Sequence, residues 1–236
     1  MRIGVIGAGA IGGTLARHLA RLGHQVSIAN SRGRDSLTAL AAEIGATPVS
    51  VVDAANAGEV VIVSIPQKAV PDLPRALFAN VPDSVVVVDT GNYYPELRDG
   101  RIDAIERGML DSQWVAQQLG RPVIKAFNSI YARSLREKGV PPSTPGRVAL
   151  PVAGDRAEAK APVLRLVDEL GFDPVDGGDL GDSWRQQPGA PAYCRDLEVA
   201  ALKRALAEAN RSWIAEYRAE QEARTRREIA ARTTRG

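Results

Sequence analysis

The chain has 236 residues, of which 44% are hydrophobic and 25% are charged, proportions typical of a globular protein with a full core. Its formal net charge of +2 is too small to indicate a nucleic-acid partner, and its longest apolar runs, such as residues 85–88, are too short to span a membrane. The single cysteine, Cys194, excludes an internal disulfide and a cysteine-based metal cluster, and no His-x-x-x-His spacing indicates a metal site. The single cysteine suits the reducing cytoplasm, where we expect the protein, and glycines interrupt the apolar start of the chain, so no signal peptide is predicted there.

Short β-branched runs alternate with helical patterns through the first part of the chain, which is typical of a parallel sheet with crossover helices. Strands are predicted over residues 2–6, 25–29, 47–50, 59–64, 84–89 and 122–127, and helices over residues 13–22, 36–44, 51–57, 68–78 and 129–138. Pro71 and Pro74 are expected to break the helix over residues 68–78. We therefore predict an α/β fold with a Rossmann-type, doubly wound parallel sheet.

Residues 139–146 are rich in Pro, Gly, Ser and Thr and predict a boundary before a smaller C-terminal part. Beyond it we predict strands over residues 147–152 and 172–175, and a helix that Asp155 caps and Pro162 kinks or shortens. A long loop over residues 177–195 is a functional candidate, and Asp196 is expected to cap a long final helix. The apolar stripe of that helix comprises Leu202, Leu206, Ala209, Trp213 and Tyr217.

A glycine-rich turn, Gly7-Ala8-Gly9-Ala10-Ile11-Gly12, joins the first predicted strand to the first predicted helix. The first glycine permits the tight turn, the second lets a pyrophosphate approach the backbone, and the third lets helix and strand pack closely. The pyrophosphate then lies on free N–H groups at the positive end of the helix. The pattern predicts a dinucleotide site formed by Gly7, Gly9, Ala10, Ile11 and Gly12.

The end of the second predicted strand indicates which dinucleotide is bound. About 20 residues past the glycines, an NAD site usually presents Asp or Glu to the ribose 2′-hydroxyl. This chain has Asn30-Ser31-Arg32-Gly33-Arg34 there, and its hydroxyl and guanidinium groups suit a 2′-phosphate that no carboxylate repels. The alternative is an ordinary polar turn with solvated arginines. We favour NADP, bound by a Rossmann domain of residues 1–143, with residues 144–236 as a smaller domain that completes the substrate cleft and ends in a long helix.

Four segments occur here in an order that is found in one family: the glycine turn, residues 30–33 (NSRG), residues 88–95 (VDTGNYYP) and residues 125–128 (KAFN). On these residues the chain resembles the NADP oxidoreductases that work with the deazaflavin coenzyme F420, together with related dinucleotide-binding enzymes. The resemblance covers most of the chain, and residues 183–189 and 191–194 are similar to one branch of the group. It implies NADP as cofactor, coenzyme F420 or a flavin as co-substrate, and a homodimer.

The resemblance also implies which side chains hold the 2′-phosphate. Ser31 and Arg32 would bind it, next to Asn30. Arg34 stands where similar proteins often carry proline, and it either adds a second phosphate contact or is solvated.

A second group of residues is expected along the nicotinamide end of the cofactor. Ser64, Ile65 and Pro66 end a predicted strand at the carboxyl edge of the sheet, where ligands of open α/β folds bind. Ile65 and Pro66 would line the nicotinamide ribose, although Pro66 could also simply start a helix. Gly91 and Asn92 follow another strand and are expected near the cofactor as well.

Three polar residues at strand ends could carry chemistry. Asp89 is a candidate catalytic carboxylate, but anchoring of the following loop by local hydrogen bonds is favoured. Lys125 either neutralises negative charge on the substrate or extends its amine from the strand end into water. Asn128 offers a donor and an acceptor toward the cleft and is the better candidate for catalysis or substrate binding.

The predicted loop over residues 177–195 supplies the remaining candidates for substrate binding, Trp184, Arg185 and Tyr193. An aromatic ring beside a guanidinium could hold a flat anionic ring, whereas the alternative is that Trp184 and Tyr193 anchor the loop to the core. His18 and His24 lie within and just after the first helix, so neither is expected to act as a general base.

These residues support three functions. The first is an NADPH-dependent oxidoreductase that passes hydride to a deazaflavin or flavin ring, for which positioning and exclusion of water suffice. The second is reduction of a small imine or carbonyl, which needs a proton donor among Tyr93, Tyr94, Asp89 and Lys125. The third is a redox-sensing NADP-binding regulator without catalysis, which could use the basic tail over residues 224–235 as its interaction surface.

Overall fold

The computed structural model describes the backbone of residues 1–233 and the side chains of residues 1–227. Its larger sheet consists of the parallel strands β1 (Arg2–Ile6), β2 (Gln25–Ala29), β3 (Thr47–Pro48), β4 (Val60–Val63), β5 (Val86–Asp89) and β6 (Ile124–Lys125). Their order across the sheet is β3-β2-β1-β4-β5-β6. The chain switches direction between β1 and β4, so a crevice for a ligand opens at the carboxyl ends of these two strands. This order confirms the predicted doubly wound Rossmann fold.

Helices follow most strands of this sheet. The α-helices are α1 (Ala10–Arg21), α2 (Thr38–Ile44), α3 (Val51–Ala55), α4 (Asp103–Glu106), α5 (Asp111–Leu119) and α6 (Ala132–Glu137). Two 3₁₀ helices, Arg34–Leu37 and Gln67–Asp72, and a π-helical turn, Pro95–Asp99, complete the connections. Pro71 lies inside the second 3₁₀ helix and does not break it, whereas the helix ends at Asp72, before Pro74. The predicted helix over residues 68–78 is therefore interrupted, but not at Pro71.

The strands of the large sheet are buried on both faces. On β4, Val60 and Ile62 belong to one hydrophobic cluster, whereas Val61 and Val63 belong to a second cluster. Because successive side chains of a strand point to opposite faces, the continuous apolar run of β4 is what a strand covered on both sides requires.

The C-terminal part contains a parallel pair of strands, β7 (Ala149–Val152) and β8 (Asp173–Asp176), with α7 (Ala157–Glu169) between them in sequence. A 3₁₀ helix, Leu180–Gln186, follows, and α8 (Val199–Glu208) and α9 (Arg211–Thr233) complete the described chain. An antiparallel bridge between Lys125 and Ala153 connects this part to the end of β6. Apolar residues between positions 148 and 172 also share a hydrophobic cluster with β1 and α1. The division at residues 143 and 144 stays a prediction.

Two predicted helix caps were wrong because both carboxylates make contacts elsewhere. Helix α7 begins after Arg156 without a side-chain cap and runs through Pro162 to Glu169. The Asp155 carboxylate instead accepts the backbone N–H of Leu180 at 2.8 Å. Asp196 accepts hydrogen bonds from Ser134 Oγ at 2.9 Å and from Lys138 Nζ at 2.8 Å. Both donors are far in sequence from Val199, where the helix begins.

The predicted single final helix is two helices, α8 and α9, because the chain is not helical at Ala209 and Asn210. The proposed stripe therefore divides: Leu202 and Leu206 are buried on α8, whereas Trp213 on α9 is 39% exposed. The predicted loop over residues 177–195 also contains the 3₁₀ helix Leu180–Gln186.

The basic tail over residues 224–235 extends past the described residues, so the part beyond residue 227 has no described side chains. Within the described chain, no helix is both long enough and apolar enough to cross a membrane.

Candidate functional site

The glycine turn between β1 and α1 requires glycine for reasons that differ by position. Gly7 has a φ of +113°, and a Cβ there would lie 2.1 Å from the carbonyl oxygen of Ser64. A Cβ on Gly12 would lie 2.0 Å from the carbonyl oxygen of Gly7, so this residue permits close packing of α1 on the turn. At Gly9, in contrast, a Cβ would have no atom within 4 Å, so the turn is open to a ligand there.

The amino end of α1 can receive an anion. Gly9 is its N-cap and supplies no side-chain hydrogen bond, and its first turn contains no acidic residue. The first N–H groups of a helix have no partner within the helix and carry partial positive charge. The open space at Gly9 therefore adjoins backbone donors that suit a pyrophosphate.

The turn after β2 presents a cation without a competing acid. Asn30 shapes this turn, because its Oδ1 accepts the backbone N–H of Arg32 at 2.9 Å and its Nδ2 donates to Ser36 Oγ at 3.0 Å. Ser31 and Arg32 are exposed, and within the described residues the Arg32 guanidinium has no hydrogen-bond or ion-pair partner. Arg34, in contrast, lies 3.5 Å from Asp53 with both side chains more than half exposed, a weak pair.

A large cavity, here called the outer groove, connects the glycine turn to this cationic turn. It has a volume of about 730 Å³ and includes the carboxyl end of β4. Its predicted cofactor residues are Gly7, Gly9, Asn30, Ser31, Arg32, Arg34, Ser64, Ile65 and Pro66. Gly12 lies buried beneath it.

A second cavity of about 510 Å³, here called the inner pocket, shares four residues with the outer groove: Gly9, Ser64, Ile65 and Pro66. It also reaches Ala10, Ile11, Gly91, Asn92, Asn128 and Tyr193, which are all predicted site residues. The two cavities therefore form one cleft along the carboxyl edge of the sheet, and it is here that the structure brings most of the predicted residues together.

Asp89 and Lys125 form an ion pair below the inner pocket. Lys125 is fully buried and its Nζ lies 3.0 Å from Asp89 Oδ2, while the same ammonium donates to the carbonyl oxygen of Gly91. Asp89 also accepts the backbone N–H of Gly91 at 2.8 Å and the hydroxyl of Ser112 at 2.7 Å. The predicted extension of Lys125 into water was wrong, because the side chain is fully buried and paired with Asp89, and neutralisation of substrate charge stays a prediction. The contacts of Asp89 support its predicted role as an anchor of the following loop.

Asn128 participates in a buried amide network at the wall of the inner pocket. Its Nδ2 donates to Asn92 Oδ1 at 3.0 Å and to the carbonyl of Gln186 at 2.8 Å, and its Oδ1 accepts from Gln186 Nε2 at 2.8 Å. Asn92 Nδ2 returns a bond to the Asn128 carbonyl at 2.9 Å. Since the Asn128 amide is engaged on both atoms, its contacts tie three segments together around the pocket.

One wall of the inner pocket consists of tyrosines and an arginine. The hydroxyl groups of Tyr94 and Tyr193 are hydrogen-bonded to each other across the two segments. The Arg98 guanidinium lies 5.1 Å from the centroid of the Tyr94 ring and donates to the carbonyl of Asn92 at 2.6 Å. Tyr131, which is 60% exposed, lines the same pocket.

Burial affects the acidity of this wall. Desolvation raises the pKa of Tyr94 and that of Tyr193, and it also raises the pKa of the Cys194 thiol, which lines the pocket as well. All three groups therefore remain protonated near neutral pH.

The structure does not bring Trp184 and Arg185 to the cleft, since they line neither the outer groove nor the inner pocket. Trp184 is buried between the guanidinium groups of Arg185, at 4.6 Å, and Arg211, at 5.2 Å. Arg185 also donates to the carbonyl of Leu206 at 3.1 Å, so this pair fastens the 3₁₀ helix Leu180–Gln186 to α8 and α9.

Sequence reasoning did not identify Arg98, Tyr131 or Cys194 as site residues. Arg98 follows Tyr94 by four residues within the π-helical turn Pro95–Asp99, a spacing that in retrospect allows the ring and the guanidinium to meet. The histidines lie outside the cleft, and His24 pairs with Glu169 at 2.8 Å. Among the described residues, no group of three or more His, Cys, Asp and Glu is arranged to hold a metal ion.

Comparisons with known proteins identify related sequences and structures. The sequence profile of the family described as NADP oxidoreductase, coenzyme F420-dependent, matches residues 2–93. The hypothetical protein SMa0349 from Sinorhizobium meliloti is 33% identical, with a TM-score of 0.70 over 84% of this chain and 95% of that chain. A proposed F420-dependent NADP reductase from Arthrobacter sp. FB24 is 24% identical, with a TM-score of 0.64 over 78% of this chain and 87% of that chain.

Other similarities are partial. The Escherichia coli (strain K12) protein YjhV is 46% identical over 67 residues, which make up 28% of this chain and 49% of that protein. The chain thus matches about half the length of this curated relative. An imine reductase from Myxococcus stipitatus is 19% identical, with a TM-score of 0.54 over 75% of this chain and 55% of that chain, which shows a shared fold.

Proposed function

The chain belongs to the family of coenzyme F420-dependent NADP oxidoreductases, and on this basis we propose that it transfers hydride between NADP(H) and a ring acceptor such as coenzyme F420 or a flavin. The observation that supports this most strongly is that the outer groove and the inner pocket form one cleft. Groups that suit phosphates lie at one end of the cleft, and aromatic and guanidinium groups lie at the other.

The outer groove fits NADP(H) in charge and in shape. Arg32, unpaired among the described residues, is a cation for the 2′-phosphate, and the open backbone at Gly9 adjoins the amino end of α1 for the pyrophosphate. Ile65 and Pro66 belong to both cavities, so they would line the ribose beside the nicotinamide. Bound NADPH would supply the hydride, while the residues of the cleft orient it and exclude water.

The inner pocket supports a ring acceptor because its wall offers flat apolar faces beside a positive charge. The sequence predicted such an aromatic and guanidinium pair at Trp184 and Arg185. In the structure, Tyr94 and Arg98 provide that combination in the pocket, with Tyr131 exposed at its edge. Stacking on the tyrosines would hold a flat ring, and the Arg98 guanidinium, whose charge is partly neutralised by its ion pair with Asp99 at 2.9 Å, would add a weaker attraction to an anionic ring.

The test is NADPH oxidation with separate acceptors: coenzyme F420, FMN, FAD and a cyclic imine. We expect turnover with coenzyme F420 or a flavin. Exclusive turnover of the imine would contradict the ring acceptor and support the alternative of small imine or carbonyl reduction. Tight NADPH binding without turnover of any acceptor would support the regulator instead.

Tyr131→Ala provides a sharper test of the acceptor position, with Trp213→Ala as its matched control. Both side chains are exposed aromatic groups, but Trp213 lines neither cavity. Loss of one stacking contact of about 0.5–1.5 kcal/mol should raise the KM for the ring acceptor about two- to tenfold in Tyr131→Ala. Equal KM values in both variants would place the acceptor elsewhere.

The homodimer and the cytoplasmic location also stay predictions. Light scattering of the full-length protein would decide whether it is a dimer.

A further inference from the structure

We propose that Tyr94 donates the proton that the acceptor takes up during reduction, and that Tyr193 is the residue that positions it. This inference rests on the proposed function and extends it by assigning the proton. Addition of hydride to a C=N bond, a C=O bond or a conjugated ring leaves negative charge on a heteroatom of the acceptor. A neighbouring acid that protonates this heteroatom lowers the barrier.

Most of the acids that the sequence left open are excluded by their contacts. Asp89 and Lys125 are buried in their mutual ion pair below the pocket. The Tyr93 hydroxyl donates to Glu106 at 2.8 Å and accepts the backbone N–H of Ile102 at 2.9 Å, and Tyr93 does not line the inner pocket.

The other hydroxyl groups of the inner pocket are less suitable than the tyrosine pair. The Thr90 hydroxyl is directed at the Val63 carbonyl, 3.4 Å away. Ser64 lies where the pocket joins the outer groove, beside the predicted cofactor position, and its aliphatic hydroxyl is a far weaker acid than a phenol. Tyr131 is 60% exposed and thus lies in contact with water.

Within the pair, the surroundings favour negative charge on Tyr94. The hydrogen bond between Tyr94 and Tyr193 uses the hydroxyl proton of one tyrosine, so the hydroxyl proton of the other tyrosine is available to a bound acceptor. When Tyr193 donates to the Tyr94 oxygen, it stabilises a phenolate there, and Arg98 lies over the same ring. Arg98 is itself paired with the buried carboxylate of Asp99 at 2.9 Å, and the same carboxylate accepts the backbone N–H of Tyr94 at 2.9 Å, so the positive charge of Arg98 is partly offset. Cys194 and Tyr217, which also act on Tyr94, are neutral near pH 7, and the hydrogen bond from Tyr193 is therefore the main support of a Tyr94 phenolate.

The proposed step is balanced in atoms and electrons. The C4–H bond of NADPH breaks and its electron pair forms a new C–H bond on the acceptor, which oxidises NADPH to NADP⁺. The Tyr94 O–H bond breaks and its proton forms a bond to the acceptor heteroatom. The Tyr94 phenolate, held by Tyr193 and Arg98, then takes a proton from water.

The kinetic test compares Tyr94→Phe with Tyr93→Phe as its matched control. Each variant removes one hydroxyl, from adjacent tyrosines, and only Tyr94 lines the inner pocket. We expect turnover of the ring acceptor to fall about 100-fold or more in Tyr94→Phe and less than threefold in Tyr93→Phe. NADPH affinity, measured by fluorescence, should change less than twofold in both.

A second measurement needs no turnover. Absorbance of tyrosinate is titrated in the protein without cofactor, and the difference between the wild type and Tyr94→Phe isolates the ionisation of Tyr94. The corresponding difference between Tyr193→Phe and the double variant Tyr94→Phe/Tyr193→Phe should be shifted to higher pH, because the Tyr94 phenolate has lost the hydrogen bond that Tyr193 donates. This result would identify Tyr193 as a positioning residue rather than a tether between segments.

The outcomes separate this inference from the proposed function. If the wild type turns over the acceptor and Tyr94→Phe does so at a rate within threefold of it, the assignment of Tyr94 as proton donor is overturned, whereas the proposed function stands. An unshifted Tyr94 titration in Tyr193→Phe would overturn the role of Tyr193. Absence of turnover with every acceptor in the wild type would overturn the proposed function, and the proton donor with it.

Discussion

The three glycines of the β1–α1 turn contribute to binding and folding in different ways. Gly7 and Gly12 are needed for the fold, since a Cβ at either position would lie about 2 Å from a backbone oxygen (2.1 and 2.0 Å). Gly9 has an ordinary backbone conformation and free space around it. The sequence motif predicts these roles, and the structure shows where a methyl group would clash. At Gly7 and Gly12 it would clash with the protein backbone, whereas at Gly9 it would occupy space that is free for a ligand.

Gly9→Ala should therefore weaken NADPH binding while the free protein stays folded. The methyl group would occupy the space in which the pyrophosphate approaches the backbone, and we expect the Kd to rise about tenfold or more, which is about 1.4 kcal/mol. Gly12→Ala, the matched variant, should instead lower the melting temperature of the free protein. Fluorescence titration and circular dichroism measure the two effects. Full NADPH affinity in Gly9→Ala would mean that this glycine serves the turn alone.

The two arginines of the turn after β2 should differ in their effect on cofactor choice. Arg32 has no partner among the described residues, whereas Arg34 already lies near Asp53. Arg32→Ala should cost a charge-assisted phosphate contact of about 1.5–3 kcal/mol, and thus about one to two decades of NADPH affinity, with little change for NADH. Arg34→Ala should have a smaller effect. The Kd values of both nucleotides for both variants test this, and a larger loss in Arg34→Ala would reverse the assignment.

Among the elements, the 3₁₀ helix Leu180–Gln186 supports the site from outside. Its Gln186 joins the amide network of Asn128, while Trp184 packs between Arg185 and Arg211. Trp184→Ala should lower the stability of the protein by about 3–5 kcal/mol and reduce turnover of all acceptors alike. Trp213→Ala, at a position that is 39% exposed, should lower stability clearly less than Trp184→Ala does. Thermal melting and acceptor kinetics distinguish this support from a direct substrate contact, which would change acceptor preference without loss of stability.

Elements whose signals are local could be predicted from the sequence. The strands β1, β2 and β4 and the glycine turn are specified by adjacent β-branched runs and by backbone geometry. The caps assigned to Asp155 and Asp196 failed because a carboxylate can serve a helix end or a distant donor equally well. The structure uses Asp155 for Leu180 and Asp196 for Lys138, contacts that the order of residues does not reveal.

The candidate site divides in the same way. The cofactor end of the cleft could be predicted because its residues come from one sequence motif, the glycine turn, and from the turn that follows one strand, β2. The acceptor end depends on where the segment over residues 187–198 meets the loop after β5, which brings Tyr193 to Tyr94. A pair with adjacent residue numbers, Trp184 and Arg185, was easier to recognise than Tyr94 and Arg98, which meet through a π-helical turn.

At the scale of the whole molecule, the described chain has a core that crosses the predicted domain boundary. One hydrophobic cluster contains Ile3 and Leu15 from the first part and Leu150 and Val163 from the second. The cluster lies under the cleft, and the Lys125–Ala153 bridge joins the same two parts at the backbone level. The acceptor wall, with Tyr94 on one part and Tyr193 on the other, therefore depends on both parts being folded together.

Thermal unfolding of the full chain should accordingly be one cooperative transition. Saturating NADPH binds the first part, but the shared core should transmit its stabilisation, about 2.7 kcal/mol at a concentration of 100 Kd, to the entire transition. Scanning calorimetry with and without NADPH measures this, and the calorimetric and van't Hoff enthalpies should agree. Two transitions, of which NADPH moves only one, would show that residues 144–236 unfold as a separate domain. In that case the Tyr94–Tyr193 contact would form between domains, and cofactor binding alone would not hold the acceptor wall in place.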